Sequence, residues 1–198
     1  MMLIGVMGAC VNPGPSEPNG DNALKPLTTN HTDELRLERE YEGYDFIEDG
    51  IGEVELVNCK TGHETDFREI DGDETFTTRY LGVATPAPYT NPPEPWSLDV
   101  TEYVCNVLTG AVRIVLEADP ESSRRDGTNR QRYLVYVWYD NGNGELRNLN
   151  LELIELAYTP YTGNSSLYGD IFMDAWFEAQ DTNRRIWGED DPDPRTGD

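Results

Sequence analysis

The sequence predicts an α+β fold, namely a five-stranded β-barrel with a helix after the third strand and further helices towards the C-terminus. Three observations support this prediction. β-like segments dominate from about residue 50 to residue 83, and one amphipathic helical pattern then interrupts them. Two more β-like segments follow, and helical patterns come after them. With 198 residues, of which 37% are hydrophobic, the chain is long enough for one core of ordinary size.

The first three strands are predicted at residues 54–59, 65–70 and 75–83, where apolar, aromatic and β-branched residues alternate with polar ones. Asp71-Gly72 lies between the second and third of these segments. Asp-Gly is a strong indication of a hairpin, because the central positions of the favoured tight turn need a positive φ. The three segments are therefore expected to form a meander.

The first helix is predicted at residues 97–108, with Ser97 as its N-cap and Gly110 as its stop. Strands at 112–117 and 132–139 follow, and then helices at 149–156 and 167–181. Ile186 and Trp187 are expected to close the core. Three strands, a helix, two strands and final helices is the order of an OB-fold-type barrel. The buried face of the first helix is predicted to contain Val100, Val104, Val107 and Leu108.

The domain organisation is predicted from composition. Residues 1–10 end in small residues and a cysteine, as in the lipobox of a lipoprotein signal, so Cys10 is a candidate for lipidation and membrane anchoring. No basic residue precedes that stretch, and a disordered hydrophobic terminus is the competing interpretation. Residues 11–45 are predicted to be an unstructured acidic and proline-rich tether, 46–190 the barrel domain and 191–198 a tail. We therefore expect a monomeric extracellular lipoprotein at the cell surface.

The charge balance indicates a very saline environment. The chain has 38 acidic and 15 basic residues, a net charge of −23, and Lys25 and Lys60 as its lysines. Self-repulsion of this size destabilises a compact state unless salt screens it, and the Debye length falls to about 3 Å at 1 M salt. We therefore predict a halophilic source. The competing interpretation is an acidic protein that repels nucleic acid.

Two cysteines remain if Cys10 is lipidated. Cys59 and Cys105 could form a disulfide in an oxidising compartment, or they could be two buried thiols. Spacing along the chain does not decide between these alternatives, because disulfide geometry depends on the fold.

Four segments resemble the staphylococcal-nuclease-like (thermonuclease) family and occur in that family's order. They include RYLGVATP at 79–86 and RYLVYVW at 132–138. The other two are 149–158 and the end of the last helix at 185–188. The resemblance implies an OB-fold-type barrel in which a calcium ion and two arginines act on a phosphodiester. On this resemblance the two arginines match Arg79 and Arg132, with Arg130 a neighbouring alternative, and Thr85 matches the threonine that binds the metal.

The acidic half of the family's site is missing. Ala84 replaces a metal-binding aspartate, and Ala87 replaces the glutamate expected to activate water. Asp73 is not the remaining metal aspartate, because five residues separate it from Arg79, whereas the family needs two strands and a turn there, roughly a dozen residues. With Asp71-Gly72 as the hairpin turn, that aspartate corresponds to His63.

These replacements predict a protein without the hydrolytic site. Calcium prefers carboxylate and carbonyl oxygens, which neither alanine nor imidazole supplies. We expect no cofactor and a barrel that binds an anion, a nucleic acid or a protein partner. A cell-surface protein that uses only the fold is a further alternative.

The competing hypothesis is a secreted calcium-dependent phosphodiesterase with a rearranged metal site. It would use Asp71, Asp73, Glu94 or Asp99 to hold the ion. A transition-metal site made of His63 with Glu64 or Asp66 is a weaker alternative.

Overall fold

Five strands close into a barrel, which confirms the predicted fold class. The computed structural model describes residues 24–188 and Asp193. Each strand pairs with its neighbours in the order β3-β2-β1-β4-β5, and a parallel pairing of β3 with β5 closes the circle. The other pairings are antiparallel. In chain order the strands are β1 (Ile51–Thr61), β2 (Glu64–Glu69), β3 (Thr75–Tyr80), β4 (Arg113–Glu117) and β5 (Tyr133–Asp140), and β6 (Arg147–Asn148) pairs with the second half of β5.

Helices pack on the barrel and on one another. In the part of the chain that the structure describes, they are α1 (Asn30–Glu34), α2 (Phe46–Asp49), α3 (Ser97–Gly110), α4 (Leu149–Glu155), α5 (Gly169–Gln180) and a short 3₁₀ helix (Arg185–Trp187). The predicted bounds of α3, α4 and α5 agree with these to within two residues. The predicted order of strands and helices is therefore confirmed.

Strand β1 takes part in both halves of the barrel because it bends. Its first residues pair with β4, and its longer second part pairs with β2. Register shifts occur between Leu56 and Asn58 and between Cys59 and Thr61. Bulges of this kind increase local twist and allow one strand to turn the corner of a barrel.

Two glycines permit close packing around the end of β3. Gly62, in the turn between β1 and β2, has no room for a side chain, because a Cβ there would lie 2.8 Å from Thr85 Oγ1 and from Val100 of α3. Gly82 has a φ of 76° and faces the ring of Phe172. This left-handed residue turns the chain, so β3 ends at Tyr80 and not at residue 83 as predicted.

The connection between β2 and β3 differs from the predicted Asp71-Gly72 hairpin. The amide of Gly72 donates to the carbonyl of Glu69 over 3.0 Å, so Ile70 and Asp71 are the central residues of the turn. Gly72 does not adopt a positive φ. The meander is as expected, although the turn that makes it is one residue earlier.

Helix α3 buries the predicted face against β1, with Val100, Val104 and Leu108 in the core. Its N-cap, however, is Trp96 in a left-handed conformation, and Ser97 is the first helical residue. The Ser97 hydroxyl donates to the carbonyl of Glu94, so its side chain stabilises the preceding turn and not the helix amides.

Helix α4 lies inside the fold and is fully buried. Asn148 caps it by accepting from the amide of Leu151 over 2.9 Å. The Asn150 side chain accepts from the amide of Val137 and donates to the carbonyls of Leu81 and Val135 at 2.9–3.0 Å. One buried amide therefore holds the end of β3 against β5, which fixes the position of the residues that follow β3.

The prediction for the N-terminal segment is wrong for residues 24–45. Residues 24–45 were expected to belong to an unstructured tether, yet they pack on the barrel domain. Thr32 of α1 is fully buried, and the carboxylate of Glu155 in α4 accepts from the amides of His31 and Thr32 at 2.7 and 3.0 Å. Leu35, Leu37 and Tyr41 pack against the core. A buried carboxylate needs donors, and this segment supplies them.

Some predictions fall outside the described residues. Residues 1–23, with the candidate lipidation site Cys10, and residues 189–192 and 194–198 of the predicted tail are among these. Asp193 is described and differs from the expected tail, because it is buried and its carboxylate accepts from the amide of Trp96 over 2.6 Å. None of the helices in the described part of the chain is long and apolar enough to cross a membrane.

Candidate functional site

The predicted site residues meet at one end of the barrel because of strand register. Glu64 at the start of β2 lies opposite Arg79 near the end of β3. Arg79 in turn lies opposite Leu134 at the start of β5. The turn before β2, the end of β3 and the segment entering β5 therefore form one polar cluster, although they are far apart in sequence, and we call this cluster of side chains the cleft.

Arg79, His63 and Thr85 form a hydrogen-bonded chain in this cleft. The Arg79 guanidinium Nη1 lies 3.0 Å from His63 Nε2. The other ring nitrogen, Nδ1, lies 2.6 Å from Thr85 Oγ1 and 3.2 Å from the Thr85 amide nitrogen. Thus His63 connects Arg79 to Thr85, three residues that the sequence resemblance predicts to lie in one site.

His63 is neutral at pH 7. Burial, and after it the positive charges of Arg79 and Arg132, together lower the pKa of His63 to about 4. Protonation would place a third positive charge between two guanidinium groups in a poorly solvated position. The imidazole therefore serves as a neutral hydrogen-bonding group.

A neutral imidazole cannot satisfy all the donors around it, since it has one N–H donor and one acceptor nitrogen. If Nε2 accepts from Arg79, then Nδ1–H donates to Thr85 Oγ1, and the Thr85 amide lacks its acceptor. If Nδ1 accepts from the Thr85 amide, then the Arg79 N–H faces another N–H. In either tautomer the cleft keeps one N–H donor without an acceptor.

Arg132, the second matched arginine, is held by two carboxylates. Its Nη1 lies 2.6 Å from Glu64 Oε2, and its Nε lies 2.6 Å from Asp126 Oδ2. Arg130 also binds the carboxylate of Glu64, through both of its terminal nitrogens. The Arg132, Glu64 and Asp126 side chains are all at most 10% exposed.

The pKa shifts agree with this pairing. Burial opposes the charged forms, but hydrogen bonds from Arg132 and Thr128 hold the pKa of Asp126 below its ordinary value. Likewise, hydrogen bonds to Asp126 and Glu64 raise the pKa of Arg132 against the effect of burial. Asp126 and Arg132 therefore stay ionised and bound to each other, and Glu64 pairs with the same guanidinium, so Arg132 is not available to a ligand.

Arg79 differs from Arg132 because it forms no ion pair within the described residues. It is half-buried, and burial together with the charge of Arg132 lowers its pKa. Its single hydrogen bond in the described part of the chain goes to His63. A guanidinium has five N–H donors, so most of the hydrogen-bonding capacity of Arg79 remains open.

The two alanines in the segment after β3 contribute only backbone groups. The Ala84 amide donates to Thr159 Oγ1 over 2.8 Å, and the Ala87 amide donates to the carboxylate of Glu94 over 2.6 Å. The segment is therefore held in place by its backbone. Its side chains supply neither a metal ligand nor a general base at the positions where the resemblance expects them.

The alternative metal residues do not come together. Asp71 and Asp73 lie in the turn between β2 and β3, at the opposite end of these strands from Arg79. Glu94 binds the Ala87 amide, and Asp99 on α3 is hydrogen-bonded to Tyr158. Among the described residues, no group of three or more His, Cys, Asp or Glu could hold a metal ion. The four residues therefore do not form one metal site in the described structure, and the calcium-dependent alternative stays a prediction.

The transition-metal alternative at His63 also lacks support. Glu64 is bound by two arginines, and Asp66 pairs with Lys60 over 2.6 Å and accepts from Thr77. His63 itself binds Arg79 and Thr85. No ligand set remains around the imidazole in the described structure.

Sequence reasoning missed the two carboxylates that neutralise the arginines. Glu64 follows His63 directly, and Asp126 lies in the loop before β5, six residues from Arg132. The available signal was the excess of arginine in that loop, since buried arginines need acidic partners. The identity of those partners depended on the barrel closing.

Comparisons with known proteins give no family assignment. A scan against protein-family models finds no matching family. A search of curated proteins finds no match either.

Proposed function

We propose that this protein is a non-catalytic barrel that binds a small oxyanion, such as a phosphoryl or carboxylate group, at Arg79. One observation carries the proposal. Arg79 is half-buried and without an ion pair among the described residues, in a chain whose acidic residues outnumber its basic ones by 38 to 15. A half-buried guanidinium with no direct carboxylate partner, which Glu64 and Asp126 stabilise only at longer range, gains from a bound anion.

The neighbouring groups complement this role. Because His63 cannot accept from both the Thr85 amide and Arg79, one N–H donor near the guanidinium stays open in each tautomer. Arg–oxyanion contacts are strong because both charge and fork geometry match. The site thus offers a guanidinium and a second N–H donor within one cleft.

The relationship to thermonuclease-like proteins is part of the proposal. The four resembling segments and the closed barrel support it, because the matched positions 63, 79, 85 and 132 lie in one cleft. In this proposal an ancestral protein lost its hydrolytic site, and carboxylates of the protein itself then neutralised one of the two arginines. Glu64 and Asp126 then hold the second arginine that the resemblance would assign to substrate.

Hydrolysis is not favoured by these residues. Calcium takes six to eight oxygen ligands, whereas the matched positions are occupied by His63 and Ala84. The two carboxylates nearby, Glu64 and Asp126, already accept from arginines. No side chain at position 87 can accept a proton from water.

A compact ligand fits better than a nucleic acid polymer. Binding along a phosphate backbone depends on several cations that contact successive phosphates. Here Arg130 and Arg132 are used internally, and the net charge of −23 repels a polyanion. A single oxyanion on a small molecule or on a partner protein needs only the Arg79 site.

The proposed setting is the outer surface of a cell in a saline environment, with Cys10 as the lipid attachment site. The acidic composition and the small-residue stretch that ends at Cys10 support this setting. Mass spectrometry of the protein from its source organism tests it. An unmodified N-terminal peptide that contains Cys10 would contradict the anchor.

Binding of inorganic phosphate tests the anion site. We expect saturable chemical-shift changes at residues 63, 79 and 85, measured in the lowest salt that keeps the protein folded. Arg79→Gln should weaken binding by about 10- to 100-fold, since a charge-assisted hydrogen bond contributes roughly 1.5–3 kcal/mol. Arg68→Gln is the matched control, because Arg68 lies on β2 at the other end of the strand and pairs with Glu55. Equal losses in both variants would contradict a site at Arg79.

A phosphodiesterase assay tests the absence of catalysis. We expect no cleavage of single-stranded DNA in molar salt, with or without calcium. Calcium-dependent cleavage that Arg79→Gln abolishes would overturn the non-catalytic proposal. Restoring His63→Asp, Ala84→Asp and Ala87→Glu together should leave the protein inactive while Glu64 and Asp126 hold Arg132. Adding both Glu64→Gln and Asp126→Asn should release that arginine and give cleavage.

A further inference from the structure

Groups at two other places in the described chain take no part in the cleft. Cys59 and Cys105 are the first, and both are free thiols in this structure, so the disulfide that the sequence left open is not present. The second place is the carboxylate of Glu117, the last residue of β4. Glu117 lines a cavity of about 570 Å³, together with residues from the segments 35–39 and 165–173.

The two carboxylate oxygens of Glu117 have different surroundings. Oε2 accepts from Trp138 Nε1 over 3.1 Å and from the Tyr168 hydroxyl over 2.8 Å. Oε1 is buried and accepts no hydrogen bond within the part of the chain that the structure describes. Arg39 Nη1 lies 3.7 Å from Oε1, too far for a hydrogen bond, and donates to the carbonyl of Ala118. A carboxylate whose side chain is 1% exposed therefore keeps an open acceptor in the wall of the cavity.

Other polar groups of the cavity also favour a ligand that donates. The Ser166 hydroxyl donates to the carboxylate of Asp119. Arg36 donates to two backbone carbonyls of its own segment and pairs with a glutamate outside the cavity. Glu38 and Asp170, which are exposed, line the cavity with carboxylates, and a carboxylate only accepts hydrogen bonds. The cavity therefore offers acceptors and negative charge to a ligand.

We propose that this cavity binds a small alkylammonium ion, with its N–H groups on Oε1 of Glu117 and its alkyl chain against the apolar lining. An ammonium group has three donors and no acceptor, which matches the open acceptors. Leu35, Ile171 and Met173 line the cavity and provide apolar contacts for the chain. The volume lies within the range of small-molecule sites, roughly 300–1,000 Å³. The Arg39 side chain is 38% exposed, so it can turn towards solvent when the ammonium binds.

The charge on Glu117 favours a cation over a neutral donor. Burial raises the pKa of Glu117, and the nearby carboxylate of Asp119 adds to the increase. Hydrogen bonds from Tyr168 and Trp138 and the charge of Arg39 act in the opposite direction. The negative charge is therefore only partly compensated. An ammonium at Oε1 stabilises it more than a hydroxyl group does, because a hydrogen bond between two charged groups is stronger.

Titration of the full chain with butylammonium chloride at constant ionic strength tests the proposal. We expect saturable chemical-shift changes in the amides of residues 117, 166 and 168. 1-Butanol, which has the same alkyl chain and no charge, should give no saturable change over the same concentrations. The absence of a saturable change with butylammonium would overturn the site. Equal binding of 1-butanol would contradict recognition of the ammonium group.

Two variants should change the affinity for butylammonium in opposite directions. Glu117→Gln keeps the shape of the side chain, removes its charge and should weaken binding about 10- to 100-fold. Arg39→Gln removes the cation beside Oε1 and should strengthen binding about 2- to 5-fold. Because the Arg39 side chain is partly exposed, this second result does not depend on how well Glu117→Gln folds. Glu55→Gln, in an exposed ion pair, is the matched control. An affinity equal to that of the control in folded Glu117→Gln, or an unchanged or weaker one in Arg39→Gln, would overturn the proposal.

Discussion

The sharpest prediction concerns the neutral His63 in the cleft. Its pKa is lowered to about 4 in the folded protein, mainly by burial, whereas an unperturbed histidine has a pKa near 6.5. Below pH 6.5 the unfolded state therefore binds a proton that the folded state excludes. The contribution of His63 to the free energy of unfolding is therefore fully present above pH 6.5 and is lost as the pH falls towards 4.

The magnitude follows from the two pKa values. At pH 5, protonation of His63 in the unfolded state raises the unfolding equilibrium constant about 30-fold, which lowers the free energy of unfolding by about 2 kcal/mol. At pH 7 this contribution is almost zero. Salt reduces the part that comes from Arg79 and Arg132, but the larger part from burial remains. We therefore expect the wild type to lose up to about 2 kcal/mol more than a His63→Gln variant between pH 7 and pH 5.

Urea unfolding at constant salt and at several pH values between 5 and 7 measures this difference. Taking the difference between wild type and variant removes the contributions of other titrating groups. His31→Gln is the matched control, because it removes the other histidine, which lies on α1 beside Glu178 and away from the cleft. An equal pH dependence in wild type and His63→Gln would refute the description of His63 as a buried neutral group.

Three further predictions concern the fold around the cleft. Glu64→Gln leaves the guanidinium groups of Arg130 and Arg132 without their shared carboxylate and should lower the free energy of unfolding by about 3–5 kcal/mol. The control Glu55→Gln removes one partner of an exposed ion pair and should lower it by less than about 1 kcal/mol. Urea unfolding measures both. Gly62→Ala should lower stability by about 1–3 kcal/mol, because its Cβ would overlap α3, and Gly110→Ala, which meets no atom within 4 Å, is the control. Thr32→Val removes a hydrogen bond to a buried carboxylate, so residues 24–45 should become sensitive to limited proteolysis, and unchanged digestion would contradict their packing.

Much of the fold could be predicted from local patterns. The alternation of β1 to β5, the apolar face of α3 and the order of elements depend on residues close in sequence. When one face of a helix or strand is buried, apolar residues recur along it with a fixed period, and this recurrence is visible within a single segment. Errors occurred where a turn depends on packing, as at Gly72 and at the N-cap Trp96. The long N-terminal segment was misjudged for a related reason, because its partner, Glu155, lies 123 residues away from Thr32.

The candidate site, like the fold, could be predicted from the sequence only in part. The sequence by itself supplied Arg79, Arg132 and Thr85 as candidate residues through a resemblance, and the correspondence of His63, Ala84 and Ala87 to acidic family positions stays a prediction. Only the tertiary structure decided the states of the two arginines. Arg132 is neutralised by carboxylates from two different segments, whereas Arg79 keeps open donors. Charge pairing depends on distances of a few ångströms, and those distances are set when the barrel closes and brings the start of β2 beside the start of β5.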